Sequence, residues 1–100
     1  MIDPNLPGAE IVAPGLVDLR DGKASVEALL VSMARPKLIW LGLDVPEPLL
    51  DPEMTLFHRL MARDPECGYR DYNSLRRRLD RFCRALEHQR MSALRALHAS

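Results

Sequence analysis

Residues 69–97, YRDYNSLRRRLDRFCRALEHQRMSALRAL, contain neither proline nor glycine and decide the fold of this chain. Apolar side chains recur in this stretch at steps of three and four residues: Tyr72, Leu75, Leu79, Phe82, Leu86, Ala93 and Leu97. Such spacing places them on one side of an α-helix and leaves the other side polar. The stretch therefore predicts one long amphipathic helix that packs its apolar side against other elements.

The preceding sequence carries the start and stop signals of shorter helices. Ser25 is a typical N-cap for a helix over Val26–Ala34, and Pro36 ends that helix because the residue before a proline is pushed out of the α region. A second short helix is expected from Pro36 through Leu41. Gly42 would close it in the left-handed conformation.

Two similar tripeptides predict helix starts further along the chain. Asp51-Pro52-Glu53 offers a capping carboxylate, a proline at the first helical position and an acid in the first turn. The helix it starts is expected to reach about Arg63, with four apolar residues on one side: Met54, Phe57, Leu60 and Met61. Asp64-Pro65-Glu66 repeats the signature just before the long helix.

The first fifteen residues contain three prolines and two glycines, which predict an irregular N-terminal arm over residues 1–15. A short helical turn is expected from Leu16 to Arg20. Residues 16–100 are then expected to form a helical domain, and no segment has the pattern of a β-strand. The fold class predicted is all-α: a single compact domain of four to five helices with a long C-terminal amphipathic helix.

The charges of the chain are segregated although its net charge is zero. Residues 1–69 carry six basic and eleven acidic side chains, whereas residues 70–100 carry eight arginines and three acids. The two parts therefore have charges of −5 and +5, which hints at an interaction surface. Two cysteines are too few for a disulfide scaffold, and the first residues lack the basic and apolar pattern of a signal peptide, so a reduced cytoplasmic setting is expected. No apolar run is long enough to span a membrane, so no membrane association is expected.

One face of the long helix concentrates positive charge. Projection at about 100° per residue places six side chains within a narrow arc opposite the apolar stripe, along about 37 Å. This set, the arginine ridge, comprises Arg70, Arg77, Arg81, Arg84, His88 and Arg95. Guanidinium groups suit carboxylates and phosphates, although a solvated polar surface is the commonest role of such a charge run.

The sequence favours a non-enzymatic accessory or adaptor protein that binds another protein, with an acidic face, through the arginine ridge. The apolar segment around Trp40 is either a core helix or, together with Val45 and Leu49, a second interface patch. The alternative is a small nucleic-acid-binding helical module, which has less support because the chain is neutral and aromatic residues near the ridge are scarce. The helix from about Arg90 outruns a small bundle, so a homodimer is also expected.

No cofactor, metal site or catalytic constellation is predicted. His58, Cys67, Cys83, His88 and His98 lack the spacings of zinc ligands. The serines and carboxylates are explained by helix caps and helix surfaces, and the sequence has neither a phosphate-binding glycine loop nor a nucleophile elbow.

Overall fold

The structure, a computed structural model, describes residues 2–99 and confirms the all-α fold. Five helices follow one another, and none of the described residues forms a strand. Their bounds are α1 Ala9–Arg20, α2 Val26–Met33, α3 Arg35–Trp40, α4 Pro52–Arg63 and α5 Gly68–Ala99. None of these helices is long and apolar enough to cross a membrane.

Helix α2 lies at the centre of the bundle. Every residue from Ala28 to Ser32 is buried, because α1, α4 and α5 all pack against this helix. The Ala28 N–H donates to the Ser25 hydroxyl oxygen at 3.0 Å, which confirms the predicted N-cap. The buried Ser32 hydroxyl accepts a hydrogen bond from the Leu49 N–H at 3.1 Å and ties the loop before α4 to the core.

Helix α1 corrects the prediction of an irregular arm over residues 1–15, because the helix begins at Ala9. Pro14 lies inside it, at the cost of one backbone hydrogen bond. Tertiary packing outweighs this local penalty, since Ile11 and Val12 are buried against the core. At Gly15 the backbones of α1 and α2 approach so closely that a Cβ would lie 2.6 Å from the Glu27 carbonyl oxygen.

Helices α3 and α4 begin near the predicted residues, but not always for the predicted reason. Pro36 lies in the first turn of α3, and Gly42 follows that helix with a φ of 94°. Asp51 has a φ of 43° and its side chain makes no capping hydrogen bond, so its predicted role is wrong. Pro52 at the first position, with its φ already fixed at a helical value, starts α4 instead.

The apolar face of α4 also differs from the prediction. Leu56 and Leu60 are its buried residues, and Phe57 is half-buried against them. Met54, which the sequence places on the same side as Phe57 and Leu60, is 55% exposed. The core of the bundle therefore meets α4 along a narrower strip than its sequence indicates.

Helix α5 is unbroken, as predicted, but only its first half is covered by the bundle. Asp64 Oδ1 accepts hydrogen bonds from the N–H groups of Glu66 and Cys67, so the second start signature forms a turn before the helix. The buried residues of α5 are Tyr72, Leu79, Phe82, Cys83 and Leu86, together with Gly68. All residues from His88 to His98 are exposed, and the molecule measures 54 × 26 × 20 Å.

Candidate functional site

The arginine ridge lies on the side of α5 that faces away from the bundle. Arg70, Arg77, Arg81, Arg84, His88 and Arg95 are all exposed. Because α5 continues without a break from Gly68 to Ala99, their spacing along one face holds over the whole length of the ridge. The core-facing residues of α5, centred on Phe82, lie on the opposite side.

The positive charges of the ridge have no carboxylate partners within residues 2–99. The ion pairs of this part of the chain are Arg35–Glu47 at 3.9 Å, Lys37–Glu87 at 3.6 Å and Arg78–Glu10 at 2.8 Å, and none includes a ridge residue. Arg70 alone among the ridge residues has a polar side-chain contact there, from Nη2 to the Cys67 sulfur at 3.7 Å. The carboxylate of Glu87, which lies beside the ridge, is thus directed to α3.

A groove of about 520 Å³ runs along the flank of the ridge, between α5 and the junction of α2 and α3. Its apolar lining comes from Met33, Ala34, Leu79 and Cys83, and its charged lining from Lys37, Arg76, Asp80, Arg84 and Glu87. Arg84 therefore belongs to both the ridge and the groove. The groove is open to solvent and has charged groups of both signs.

Cys83 is the nucleophile-bearing residue of the groove, and its surroundings keep it protonated. Burial, reinforced by the nearby Asp80 carboxylate, raises the pKa of the Cys83 thiol above its ordinary value. A thiol becomes an effective nucleophile when positive surroundings lower its pKa. Cys83 is instead buried among the apolar residues of the core, where it packs as a small side chain.

Trp40 lies on the protein surface beside the same groove. Trp40 is 68% exposed, and the Lys37 ammonium lies 4.4 Å from the centre of the indole ring. Lys37 also pairs with Glu87 of α5 and lines the groove with Arg84. The structure thus connects the arginine ridge to Trp40 through Lys37, a residue that the sequence analysis did not select.

The segment around Trp40 divides between core and surface. Leu38 and Leu41 are buried, whereas Ile39 and Trp40 are exposed. Val45 is only 5% exposed, and Leu49 is half-buried, so the predicted patch does not extend along the loop to these residues. The signal that could have identified Lys37 is its spacing of three residues from Trp40, which places both on one helix face.

Within the part of the chain that the structure describes, no three histidine, cysteine, aspartate or glutamate side chains come together as a potential metal-binding group. Comparisons of the chain with models of protein families, with curated proteins and with solved structures give no match.

Proposed function

We propose that this chain is a non-enzymatic accessory protein that binds an acidic segment of another protein. The observation that carries the proposal is the row of exposed cations on α5 that have no carboxylate partner among residues 2–99. The guanidinium groups of such a row donate paired hydrogen bonds to carboxylates. An extended or helical acidic segment lying along α5 would meet one cation after another.

Trp40 supplies the apolar contact that charges alone do not provide. At about 0.5 kcal/mol for each exposed charge pair, five or six pairs sum to about 3 kcal/mol, less than the roughly 4 kcal/mol of a millimolar complex. A tryptophan buried at an interface adds about 2 kcal/mol or more. A segment that combines acidic side chains with an apolar residue seated against Trp40 is therefore the ligand that fits this surface best.

The surroundings of the ridge favour a protein ligand over single-stranded nucleic acid. Proteins that bind unpaired strands stack bases on exposed aromatic rings along a basic groove. Tyr69 is 64% exposed, but Tyr72 is buried and its hydroxyl donates to Glu53 Oε1 at 2.9 Å. Tyr69 lies at the start of α5, whereas the exposed ring of Trp40 lies beside Lys37, which pairs with Glu87, so the two rings form no continuous stacking surface along the ridge.

The test is fluorescence anisotropy with a labelled peptide of glutamates around a central leucine, compared with the same peptide carrying glutamine for glutamate. The triple variant Arg77→Glu, Arg81→Glu, Arg84→Glu should weaken binding of the acidic peptide on the order of 100-fold. Three lost attractions and three new repulsions, at about 0.5 kcal/mol each, sum to about 3 kcal/mol. Trp40→Ala should weaken binding on the order of tenfold or more.

A matched control separates the position of the charges from their number. Arg20, Lys23 and Arg63 are exposed cations outside α5, and their joint replacement by glutamate changes the net charge by the same amount. The control should bind the acidic peptide nearly as well as the unmodified protein. Equal losses in the two triple variants, or equal affinity for the glutamate and glutamine peptides, would contradict the proposal.

A duplex oligonucleotide titrated between about 50 and 200 mM salt tests the alternative of a nucleic-acid-binding module. Contact of the ridge with five or six phosphates predicts a log–log slope near −5. Tighter binding of the duplex than of the acidic peptide, with that slope, would replace the adaptor proposal by the nucleic-acid alternative.

A further inference from the structure

The molecule exposes more surface than a compact monomer of its size. Its accessible surface is 6593 Å², whereas a folded chain of 11.3 kDa exposes about 5,700 Å². The radius of gyration, 14.7 Å, also exceeds the value of about 13 Å for 100 residues. The surface excess, about 900 Å², resembles the roughly 800 Å² that each partner contributes to a stable interface.

The final turns of α5, which we call the distal segment and define as residues 90–98, are exposed and continue the apolar stripe of the core. Ala93 and Leu97 follow the buried Leu86 at steps of seven and four residues, which keeps all three on one side of the helix. Leu94 and Leu97 are 50% and 72% exposed. Arg95 of the ridge lies on the opposite side, so a partner on the apolar stripe leaves the ridge open.

A second apolar patch lies where the distal segment leaves the bundle. The Arg90 guanidinium rests on Gly42, where a Cβ would lie 2.9 Å from the guanidinium carbon. Gly42 follows the end of α3, which carries Trp40 at 68% and Ile39 at 43% exposure. One end of the molecule therefore presents both the distal segment and the patch of Ile39 and Trp40.

The charges at this end indicate how two copies would meet. The distal segment contains Arg90 and Arg95 and no carboxylate, so two distal segments packed only on each other would bring like charges together. The loop after α3 contributes exposed Asp44 and Glu47, and Glu47 lies 3.9 Å from Arg35 of the same chain. The α3 end of another copy therefore offers exposed carboxylates, which the distal segment itself lacks.

We propose that this chain forms a two-fold symmetric dimer in which the distal segment of each copy packs on the Ile39 and Trp40 patch of the other. The same surface is used on both partners, as two-fold symmetry requires. The arrangement covers Leu94 and Leu97 and brings each positive distal segment toward the exposed Asp44 and Glu47 of the other copy. The dimer does not require the proposed function, and the arginine ridge stays open on both copies, but the partner's distal segment and an acidic ligand would compete for Trp40.

The test measures sedimentation equilibrium and tryptophan emission on the same samples over a series of protein concentrations. The average mass should rise toward twice the 11.3 kDa of the chain. Trp40 is the single tryptophan, so its emission should shift to shorter wavelength over the same concentrations as it leaves water. Leu94→Glu with Leu97→Glu should raise the dissociation constant at least tenfold and abolish the emission shift.

The control replaces two apolar residues that lie elsewhere. Leu50 and Met54 are 86% and 55% exposed, and their neighbour Glu53 bonds to Tyr72, near the start of α5. Leu50→Glu with Met54→Glu should dimerise like the unmodified chain. A monomer at every concentration, equal weakening by both double variants, or dimerisation without a change in Trp40 emission would overturn the proposal.

Discussion

Replacing Gly15 by alanine tests the contact that holds α1 against the centre of the bundle. The added methyl group would lie 2.6 Å from both the Glu27 carbonyl oxygen and Val31 Cγ2. Ordinary contacts of a Cβ begin near 3.4 Å, so the two helices must separate by about 0.8 Å or distort locally. Neither neighbour gives way easily, because one is backbone and the other is a fully buried side chain.

The expected loss of stability follows from two opposing effects. Overpacking of a core costs about 1–3 kcal/mol, and a clash with backbone puts Gly15→Ala near 3 kcal/mol. Alanine regains about 1 kcal/mol over glycine within a helix. The free energy of unfolding should therefore fall by about 2 kcal/mol, which lowers the melting temperature of a 100-residue domain by about 8–16 °C.

Thermal unfolding followed by circular dichroism measures this effect, with Ala13→Gly as the matched variant. Ala13 is exposed on the same helix, so its replacement removes helix propensity without changing the core and should cost about 1 kcal/mol. A higher melting temperature for Gly15→Ala would refute the close packing of α1 on α2. A larger loss for Ala13→Gly than for Gly15→Ala would refute it as well, because glycine before Pro14 removes no core contact and relieves crowding of the Cβ against the proline ring.

Two further predictions concern the titratable groups of the core. Under native conditions at neutral pH, a disulfide reagent should modify Cys67 well before Cys83, because Cys83 is buried and burial raises the pKa of its thiol. Mass spectrometry measures the two rates, and equal rates would contradict the protected position of Cys83. Burial and the hydrogen bond to Glu53 also raise the pKa of Tyr72 above its ordinary value of 10.0. The folded state then holds this proton more tightly than the unfolded state, so its contribution to stability is complete below about pH 10 and is lost as the pH rises through the folded pKa. Denaturant titrations between about pH 9 and 11 should show a shallower fall in stability for Tyr72→Phe, and identical slopes would contradict the assignment.

The parts of the fold that the sequence predicts are those with local causes. Ser25 caps α2 through its own neighbour three residues on, and Pro36 and Gly42 bound α3 through their restricted or permissive backbones. The continuity of α5 follows from its composition and apolar spacing. The exposure of the arginine ridge follows from the same spacing, because residues opposite a buried stripe face water.

The parts that the sequence does not predict depend on contacts between distant segments. Pro14 and Gly15 predict irregular structure when only their sequence neighbours are considered. They lie within α1 nevertheless, because Gly15 packs closely against Glu27 and Val31 of α2. Ala9, Val12, Leu16 and Leu19 have the three- and four-residue spacing of a helix, but the nearby prolines and glycines conceal it in the sequence.

The groove beside the arginine ridge also depends on contacts between segments that are distant in sequence. It arises where α5 passes the junction of α2 and α3, and Lys37 reaches Glu87 across fifty positions of sequence. The burial of Val45 likewise results from how the loop folds back over the bundle. Only the tertiary arrangement determines which apolar residues of that loop stay on the surface.

Because the arginine ridge points away from the bundle, evolution can change its residues for binding without changing the residues that stabilise the fold. Arg77, Arg81 and Arg84 contribute no buried packing, so exchange among polar helix-forming residues at these positions costs the fold little. Evolutionary drift could therefore alter the affinity or the choice of partner while the bundle beneath stays intact. A library randomised at these three positions would sample new specificities on a scaffold whose melting temperature hardly varies.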